Sequence, residues 1–390
     1  MLLVADVSAE TVIGGAERML HHHIRALNSA GAKVTILTRQ PRPDAALKIV
    51  CEHGIIEHRL PFDGDKGWKG LLQLRRQAQT WWQTYQSFDV IIAEQPFVMW
   101  ALMQAGCRVP RLQVCHSFAF EEYTTRHGLA WDFRHRLVVA GMRQLEASVY
   151  KSAQRHLVLS NFMYQRLQAF FAIPAPQITI AAGGIEGSQI GLAWQERAAK
   201  RQACWGKDGV LPPVIVSLRN LVPRTGVDLL VQAAAIVHVD RPDVRWKVMG
   251  DGALLTPLKQ LRDHLGMHDI IEFCGFLPEE DVQQHLWLAD LFMLPTRSLE
   301  GFGLVTLEAN ALGLPVIATP IGANPDVVGW SPRNRVADQA TPEALAEEVL
   351  RYLNKLPSEQ QRAQLASDTV RHFSWKKHDK ALLTAILDLT

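Results

Sequence analysis

One pattern runs through the chain: a short apolar run, then a stretch with helical spacing. LLVADV (2–7) precedes Gly14-Gly15 and a helix near 16–30, and KVTILT (33–38) follows. After a helix rich in Arg, Gln and Trp (69–86) come DVIIAE (89–94) and RLQVCH (111–116). A long helix near 132–152 leads to RHLVLS (155–160), another helix and QITIA (177–181). Apolar runs without polar alternation are strands buried on both faces, and strands separated by helices pair in parallel through right-handed crossovers. The small, polar stretch AAGGIEGSQ (181–189) breaks the pattern and reads as a linker. The pattern then restarts: VIVSL (214–218), a helix at 226–238, WKVMG (246–250), a helix near 254–265, then IIEFCG (270–275), DLFMLP (290–295) and PVIAT (315–319). Two α/β domains of similar size are therefore expected, since 390 residues exceed one ordinary core. Ligands of open parallel sheets sit beyond the carboxyl ends of the strands. With two such sheets face to face, the expected site is the cleft between them.

Composition excludes several classes. Hydrophobic content of 48% and charged content of 21% describe a globular chain rather than a disordered one. Five cysteines without a CxxC pair suit reduced thiols in a cytosolic protein, with neither a disulfide framework nor a zinc site. The start, MLLVADVSAE, has no basic segment and reads as a first strand, not a signal peptide. The longest apolar run, VIIAEQPFVMWALM (90–103), is broken by Glu94 and Pro96 and is too short to span a bilayer. The net charge of +2 hides an asymmetry: residues 1–180 carry 20 Lys+Arg against 14 Asp+Glu, and residues 181–390 carry 21 against 25. A basic first half suits an anionic partner such as a membrane surface, although a two-domain chain can show the same swing without one.

Most strand ends in the pattern carry a motif. GGAER (14–18) opens a helix after the first strand; paired glycines allow close approach of an anion to a helix N-terminus, and serve a plain tight turn equally well. His116 ends the strand LQVCH, where it can meet a sugar or phosphate or serve as a structural histidine. Arg219 and Arg224 flank the loop in SLRNLVPRTGVDLL (217–230), and two forked, permanently charged donors at a strand–helix junction suit a pyrophosphate. MGDGALL (249–255), with Gly250 and Gly252, is a further strand-to-glycine turn. In RSLEGFGLVTLEANAL (297–312), Glu300 falls in a loop and Glu308 about one turn into the next helix. Between them, the amides near Phe302, Gly303 and Leu304 are the helix's first N–H groups, which have no partner within it. One carboxylate for a sugar, one for a ribose, and amides for a diphosphate describe a nucleotide sugar.

These residues resemble a known family. EGFGLVTLEANALGLPVIAT (300–319) is similar to the E-x7-E signature of family 4 glycosyltransferases, which have the GT-B fold. The other motifs fall in the family's order, and the resemblance covers essentially the whole chain. It implies a Rossmann-like acceptor domain (1–182), a Rossmann-like nucleotide-sugar domain (183–370) and a C-terminal helix (371–390; HFSWKKHDKALLTAIL, 372–387) packed back on the first domain. It implies that Glu308 holds the ribose, Glu300 and His116 meet the donor sugar, and Arg219 meets the diphosphate. Arg224 stands where many members have lysine, Gly303 and Leu304 supply amides, and Gly14, Gly15, Gly250, Gly252, Gly301 and Phe302 line the donor. The catalytic set is His116, Glu300, Arg219 and Arg224. No carboxylate nucleophile of the retaining-glycosidase kind stands out. Retention would then rest on a leaving diphosphate that assists attack on its own face.

The resemblance further implies no metal and no cofactor, a nucleotide-sugar donor, and a glycan or lipid-linked acceptor, with no nucleic acid as partner. It points to bacterial polysaccharide, lipopolysaccharide or glycolipid assembly, in the cytoplasm or on the inner face of the cytoplasmic membrane. Residues 126–156 add Arg126, Arg134, Arg136, Arg143, Lys151 and Arg155 with Trp131 and Phe133, a basic-aromatic segment suited to anionic lipid. Some features depart from the family or distract from it. IAAGGIEG (180–187) replaces a usual "pNGvD" segment. The turn DGD (63–65) mimics a metal-binding DxD, and HHH (21–23) lies in a helix that sends adjacent side chains to different faces. Two rival readings remain: a nucleotide-sugar epimerase of the same fold, and a non-catalytic nucleotide-sugar sensor. A pyridoxal-phosphate-dependent phosphorylase is disfavoured, because no lysine occupies the second-domain loop or the E-x7-E stretch.

Overall fold

The computed structural model describes residues 1–10, 14–62, 67–127, 133–186, 194–206 and 211–389. The DGD turn, Trp131, and the later part of the expected linker lie outside these residues. The chain forms two compact units: unit 1 takes Met1–Gly183 and Lys376–Thr390, and unit 2 takes Gly184–Trp375.

Unit 1 runs β1 (Leu2–Val4), α1 (Gly15–Ser29), β2 (Thr35–Arg39), β3 (Lys48–Val50), β4 (Ile56–Leu60), α2 (Trp68–Thr84), β5 (Ile91–Ala93), α3 (Pro96–Gln104) and β6 (Arg111–Cys115). It continues with α4 (Ala119–His127), α5 (Phe133–Ser152), β7 (Arg155–Val158), α6 (Asn161–Phe171) and β8 (Ile178–Ile180). Its sheet has the order β3-β4-β2-β1-β5-β6-β7-β8, parallel except for the β3–β4 edge pair. Side chains alternate across β1: Leu3 joins one buried cluster with Leu20, Ile24 and Leu27 of α1, while Leu2 and Val4 join another with Leu74, Met99 and Leu102. A strand apolar on both sides needs a helix layer on both faces, which explains the unbroken apolar runs. Capping fixes where helices start. The Ser160 hydroxyl accepts from the Met163 amide at the head of α6, and the buried Asp6 carboxylate accepts from the Phe97 and Val98 amides at the head of α3.

Unit 2 runs α7 (Trp194–Trp205), β9 (Val214–Leu218), α8 (Val227–Asp240), β10 (Arg245–Met249), α9 (Leu255–His264), β11 (Ile271–Gly275), α10 (Glu279–Leu288) and β12 (Leu291–Leu294). There follow α11 (Leu304–Ala311), β13 (Val316–Ala318), α12 (Asn324–Gly329), β14 (Arg335–Val336), α13 (Pro342–Leu353) and α14 (Glu359–His372). The sheet order is β11-β10-β9-β12-β13-β14, parallel throughout. Again the sheet is buried on both sides: Ile215 of β9 enters one cluster, Val214 and Val216 the other.

The last helix, α15 (Trp375–Leu387), starts three residues later than the segment 372–387 that the resemblance implies, after the turn that ends α14. Leu382, Ala385 and Ile386 of α15 complete the buried cluster of unit 1 around Leu3 and Leu20.

In each sheet the order of strand addition reverses about a central strand. In unit 1 β1 lies between β2 and β5, and in unit 2 β9 lies between β10 and β12. Loops leaving the carboxyl ends of such central strands diverge and leave a crevice.

Candidate functional site

In unit 2 the crevice is built around one ion pair. Arg219 leaves β9, Glu300 sits in the loop after β12, and the Arg219 Nη2 donates to Glu300 Oε2 at 2.7 Å. The Thr296 hydroxyl donates to the same oxygen at 2.9 Å, and the Arg219 Nη2 also reaches the Thr296 Oγ1 at 3.2 Å. Both side chains are under 10% exposed. Burial pushes the Glu300 carboxyl up, but the Arg219 charge and the donors around it outweigh burial and hold it below the usual carboxylate range. The carboxylate is therefore charged and ready to accept from hydroxyls.

Backbone contacts hold this pair in place. A Cβ on Gly250 would lie 2.1 Å from the Arg219 carbonyl oxygen, and one on Gly322 would lie 2.3 Å from the Glu300 carbonyl oxygen. Both glycines also have positive φ, +119° and +64°. Only glycine lets the loops after β10 and β13 pack backbone to backbone on those after β9 and β12. Gly252 continues the first of these loops. The Arg224 guanidinium donates to the Leu299 carbonyl at 3.2 Å, and the Arg224 carbonyl accepts from the amides of Arg297 and Ser298. Leu299 itself has φ +58°, a conformation that costs a non-glycine residue about 1–3 kcal/mol. The residue before Glu300 is thus held against its own preference by its neighbours.

Gly301 and the buried Phe302 lead from Glu300 to Gly303, which caps α11 with φ +82°. Phe302 packs edge-to-face on Phe373, ring centroids 6.1 Å apart, which anchors the head of the helix. α11 begins at Leu304, and the half-buried Glu308 is its fifth residue. The unit thus assembles a forked cation, a charged carboxylate, a helix N-terminus and a second carboxylate on loops that glycine packs together.

Unit 1 places the other expected residues at its own strand ends. Gly14 is extended and Gly15 is the first residue of α1. The Gly14 amide, expected to approach an anion, donates to the Glu17 carboxylate at 3.1 Å. His116 follows β6 directly, and its Nε2 lies 2.9 Å from Oε2 of Glu94, the residue after β5. Glu94 is 1% exposed and takes a second contact from His23 Nδ1 at 2.5 Å. Sequence reasoning treats Glu94 only as the break in an apolar run. The available signal is its position: a carboxylate directly after a buried strand, at the reversal point of the sheet. The triplet His21–His23 diverges as helix geometry requires, with His22 toward Asp379 and His23 toward Glu94.

Comparison with known proteins covers both units. The family described as Glycosyltransferase Family 4 matches residues 13–188, and the one described as Glycosyl transferases group 1 matches 209–368. A GDP-mannose-dependent alpha-(1-6)-phosphatidylinositol monomannoside mannosyltransferase of Mycolicibacterium smegmatis is 34% identical over 143 residues, 35% of this chain and 37% of that protein. The chain thus spans little more than a third of that curated relative's length. Among solved structures, sucrose-phosphate synthase from Thermosynechococcus elongatus superposes with a TM-score of 0.81 at 18% identity, over 100% of this chain and 98% of that one. Anabaena Alr3699/HepE, in complex with UDP and glucose, gives 0.72 at 19% identity, over 99% and 98%. At such identities these likenesses speak for the fold alone.

Proposed function

The chain belongs to the group 1 glycosyltransferases of the GT-B type, and from that premise we propose that it moves a sugar from a nucleoside-diphosphate sugar to an acceptor, retaining the anomeric configuration without a metal ion. The observation that carries this reading is the buried Arg219–Glu300 pair at the reversal point of the unit 2 sheet.

A diphosphate arriving at the head of α11 meets Arg219, Arg224 and the amides of Gly303 and Leu304. Guanidinium forks and helix-terminal amides are fixed donors, so they stabilise the charge that develops on the leaving diphosphate without reorganising. Glu308 accepts from the ribose hydroxyls. Glu300, kept ionised by Arg219, accepts from hydroxyls of the transferred sugar. For His116 we keep the role that the family resemblance implies, a contact to the donor sugar. In this mechanism the leaving diphosphate itself takes the acceptor's proton on the face it vacates, and no enzyme carboxylate becomes glycosylated.

The acceptor we propose is a growing glycan or a glycolipid, as in polysaccharide, lipopolysaccharide or glycolipid assembly. The mannosyltransferase relative acts, by its name, on a phosphatidylinositol monomannoside. No helix among the described residues is long and apolar enough to cross a membrane. The first turns of α5 instead expose Phe133 (74%) and Leu137 (55%) beside the exposed Arg134 and Arg136. Apolar side chains four apart with guanidiniums next to them form a patch for an anionic lipid surface.

The test is thermal shift against nucleoside diphosphates and their sugars, followed by product analysis with and without acceptor. A ligand that binds only the native state raises the midpoint by mass action. A rise with one base, and sugar transfer only when acceptor is present, is the expected outcome. No rise with any base at millimolar concentration refutes the reading. Epimerised sugar and free nucleotide without acceptor identify an epimerase.

A further inference from the structure

Behind His116 runs a buried chain of hydrogen bonds that the proposed reaction does not yet use. Glu94 Oε2 meets His116 Nε2 at 2.9 Å, and Glu94 Oε1 meets His23 Nδ1 at 2.5 Å. His23 Nε2 meets His378 Nε2 of α15 at 2.8 Å, and His378 Nδ1 lies 3.1 Å from the carbonyls of both Ala181 and Ala182. His23 and His378 stack, with centroids 5.1 Å apart and planes 12° off parallel. Glu94, His23 and His378 are each 1% exposed or less. Among the described residues no three His, Cys, Asp or Glu side chains are arranged to hold a metal ion.

The protons on this chain can be assigned from its ends. Carbonyl oxygens only accept, so His378 Nδ1 carries a hydrogen. Burial, with the charges of His23 and His22 behind it, pushes His378 down to about 3, so the ring is neutral and its Nε2 holds a lone pair. His23 Nε2 must therefore donate to it. At the other end, burial pushes the Glu94 carboxyl up, but the charge and hydrogen bond of His23 and those of His116 outweigh burial and hold it well below the usual carboxylate range. An ionised Glu94 accepts at both oxygens, so His23 Nδ1 also carries a hydrogen. His23 is then an imidazolium, the counter-ion of Glu94. Because an ionised carboxylate only accepts, His116 Nε2, 2.9 Å from Glu94 Oε2, also carries a hydrogen. His22, the other histidine at this spot, is committed to Asp379 at 2.6 Å.

We propose that Glu94 is the positioning residue of His116: paired with a doubly protonated His23, it holds the His116 ring with Nε2–H turned inward and presents Nδ1 outward as an acceptor for a hydroxyl of the donor sugar. The proposal rests on the reading of His116 as a donor-sugar contact. Its consequence is specificity, since a lone pair at Nδ1 selects a hydroxyl donor at that point of the sugar and rejects a group that only accepts.

The experiment combines kinetics with nitrogen spectroscopy on the full chain. Glu94→Gln keeps the shape and removes the charge, and should lower kcat about 10–100-fold, the size of loss typical when the orienting carboxylate of a metal-ligating histidine is removed. Affinity for free nucleoside diphosphate should not change, because its contacts lie on unit 2. In the Glu94→Gln/His116→Ala double variant, turnover should fall no further than in His116→Ala alone, since Glu94 acts only through His116. Additive losses, or a Glu94→Gln variant as fast as the unmodified protein while His116→Ala is impaired, would overturn the proposal. A His116→Ala variant with full activity removes the donor-sugar role of His116 instead. The imidazole nitrogen shifts of histidine-labelled protein, with His116 assigned through His116→Gln, decide the tautomer without any Glu94 variant. A protonated Nε2 and bare Nδ1 are expected, and the reverse tautomer or a doubly protonated ring refutes the assignment.

Discussion

Replacing Gly250 by alanine tests whether glycine contacts hold the candidate site together. The added Cβ would sit 2.1 Å from the Arg219 carbonyl oxygen, at φ +119°. The backbone conformation alone costs an L-residue about 1–2 kcal/mol. The methyl group needs roughly 1 Å more room, and forcing extra atoms into a packed region costs about 1–3 kcal/mol. The total is about 2–5 kcal/mol, and the group that gives way is the strand end that carries Arg219. A misplacement of about 1 Å at a catalytic group costs on the order of 100-fold in rate. Gly266→Ala is the control, because it has φ +71° in the same unit with nothing within 4 Å of its Cβ. It should cost only the backbone share and leave turnover unchanged. Thermal unfolding and initial rates with saturating donor measure both effects. If Gly250→Ala lies within about 0.5 kcal/mol of Gly266→Ala and keeps full turnover, the strand-end loops are not held by this contact and the reasoning fails.

Four further outcomes are expected. Glu300→Ala leaves the Arg219 guanidinium buried without its partner, which should cost about 3–5 kcal/mol and abolish transfer; full activity would place the donor sugar elsewhere. Glu308→Ala should weaken nucleoside diphosphate binding about tenfold or more by calorimetry, because a hydrogen bond to a charged group is worth about 1.5–3 kcal/mol. Stability should fall as pH drops from about 6.5 toward 3, because the unfolded chain takes up a proton at His378 that the folded chain refuses, at about 1.4 kcal/mol per pH unit. Glu94, held low in the fold, adds to the loss below its ordinary value; a melting midpoint flat between pH 7 and pH 4.5 would contradict the neutral, buried His378. Charge reversal of Arg134 and Arg136 should weaken binding to vesicles containing anionic lipid and leave neutral vesicles unaffected, and unchanged binding removes the membrane reading.

What could be read from the sequence follows the range of the interactions. Strands such as Val214–Leu218 are legible because burial on both faces makes them continuously apolar. Arg219, Gly250 and Glu300 are legible because each directly follows a strand or sits in its loop. Strand Ile56–Leu60 is not: its sequence IEHRL reads as polar, yet Glu57 and Arg59 are buried as an ion pair with the Thr38 and Ser8 hydroxyls. The pairing that hides these charges comes from residues about 20 and 50 positions away, beyond any local periodicity. The same limit hides Glu94. Helix geometry separates His22 from His23 correctly, but only the packing of α15 shows that His23 has an acceptor 355 residues downstream. Gly322 is missed for a similar reason, because its constraint is the Glu300 carbonyl, a contact between loops.

Unit 1 is made of two separate stretches of chain, and this bears on the order in which a ribosome could complete the protein. The first 183 residues emerge with a gap on one face of their sheet, where Leu382, Ala385 and Ile386 will later sit. His23 lacks the ring that accepts its second proton until His378 is translated. Domains generally fold as units during synthesis, the earlier one first. Here the whole of unit 2 intervenes, so unit 1 is begun before unit 2 and completed after it. In the interval a nascent chain carries exposed apolar surface and a histidine N–H without its acceptor, and a chaperone that recognises such surfaces would have its target on the earlier-made half.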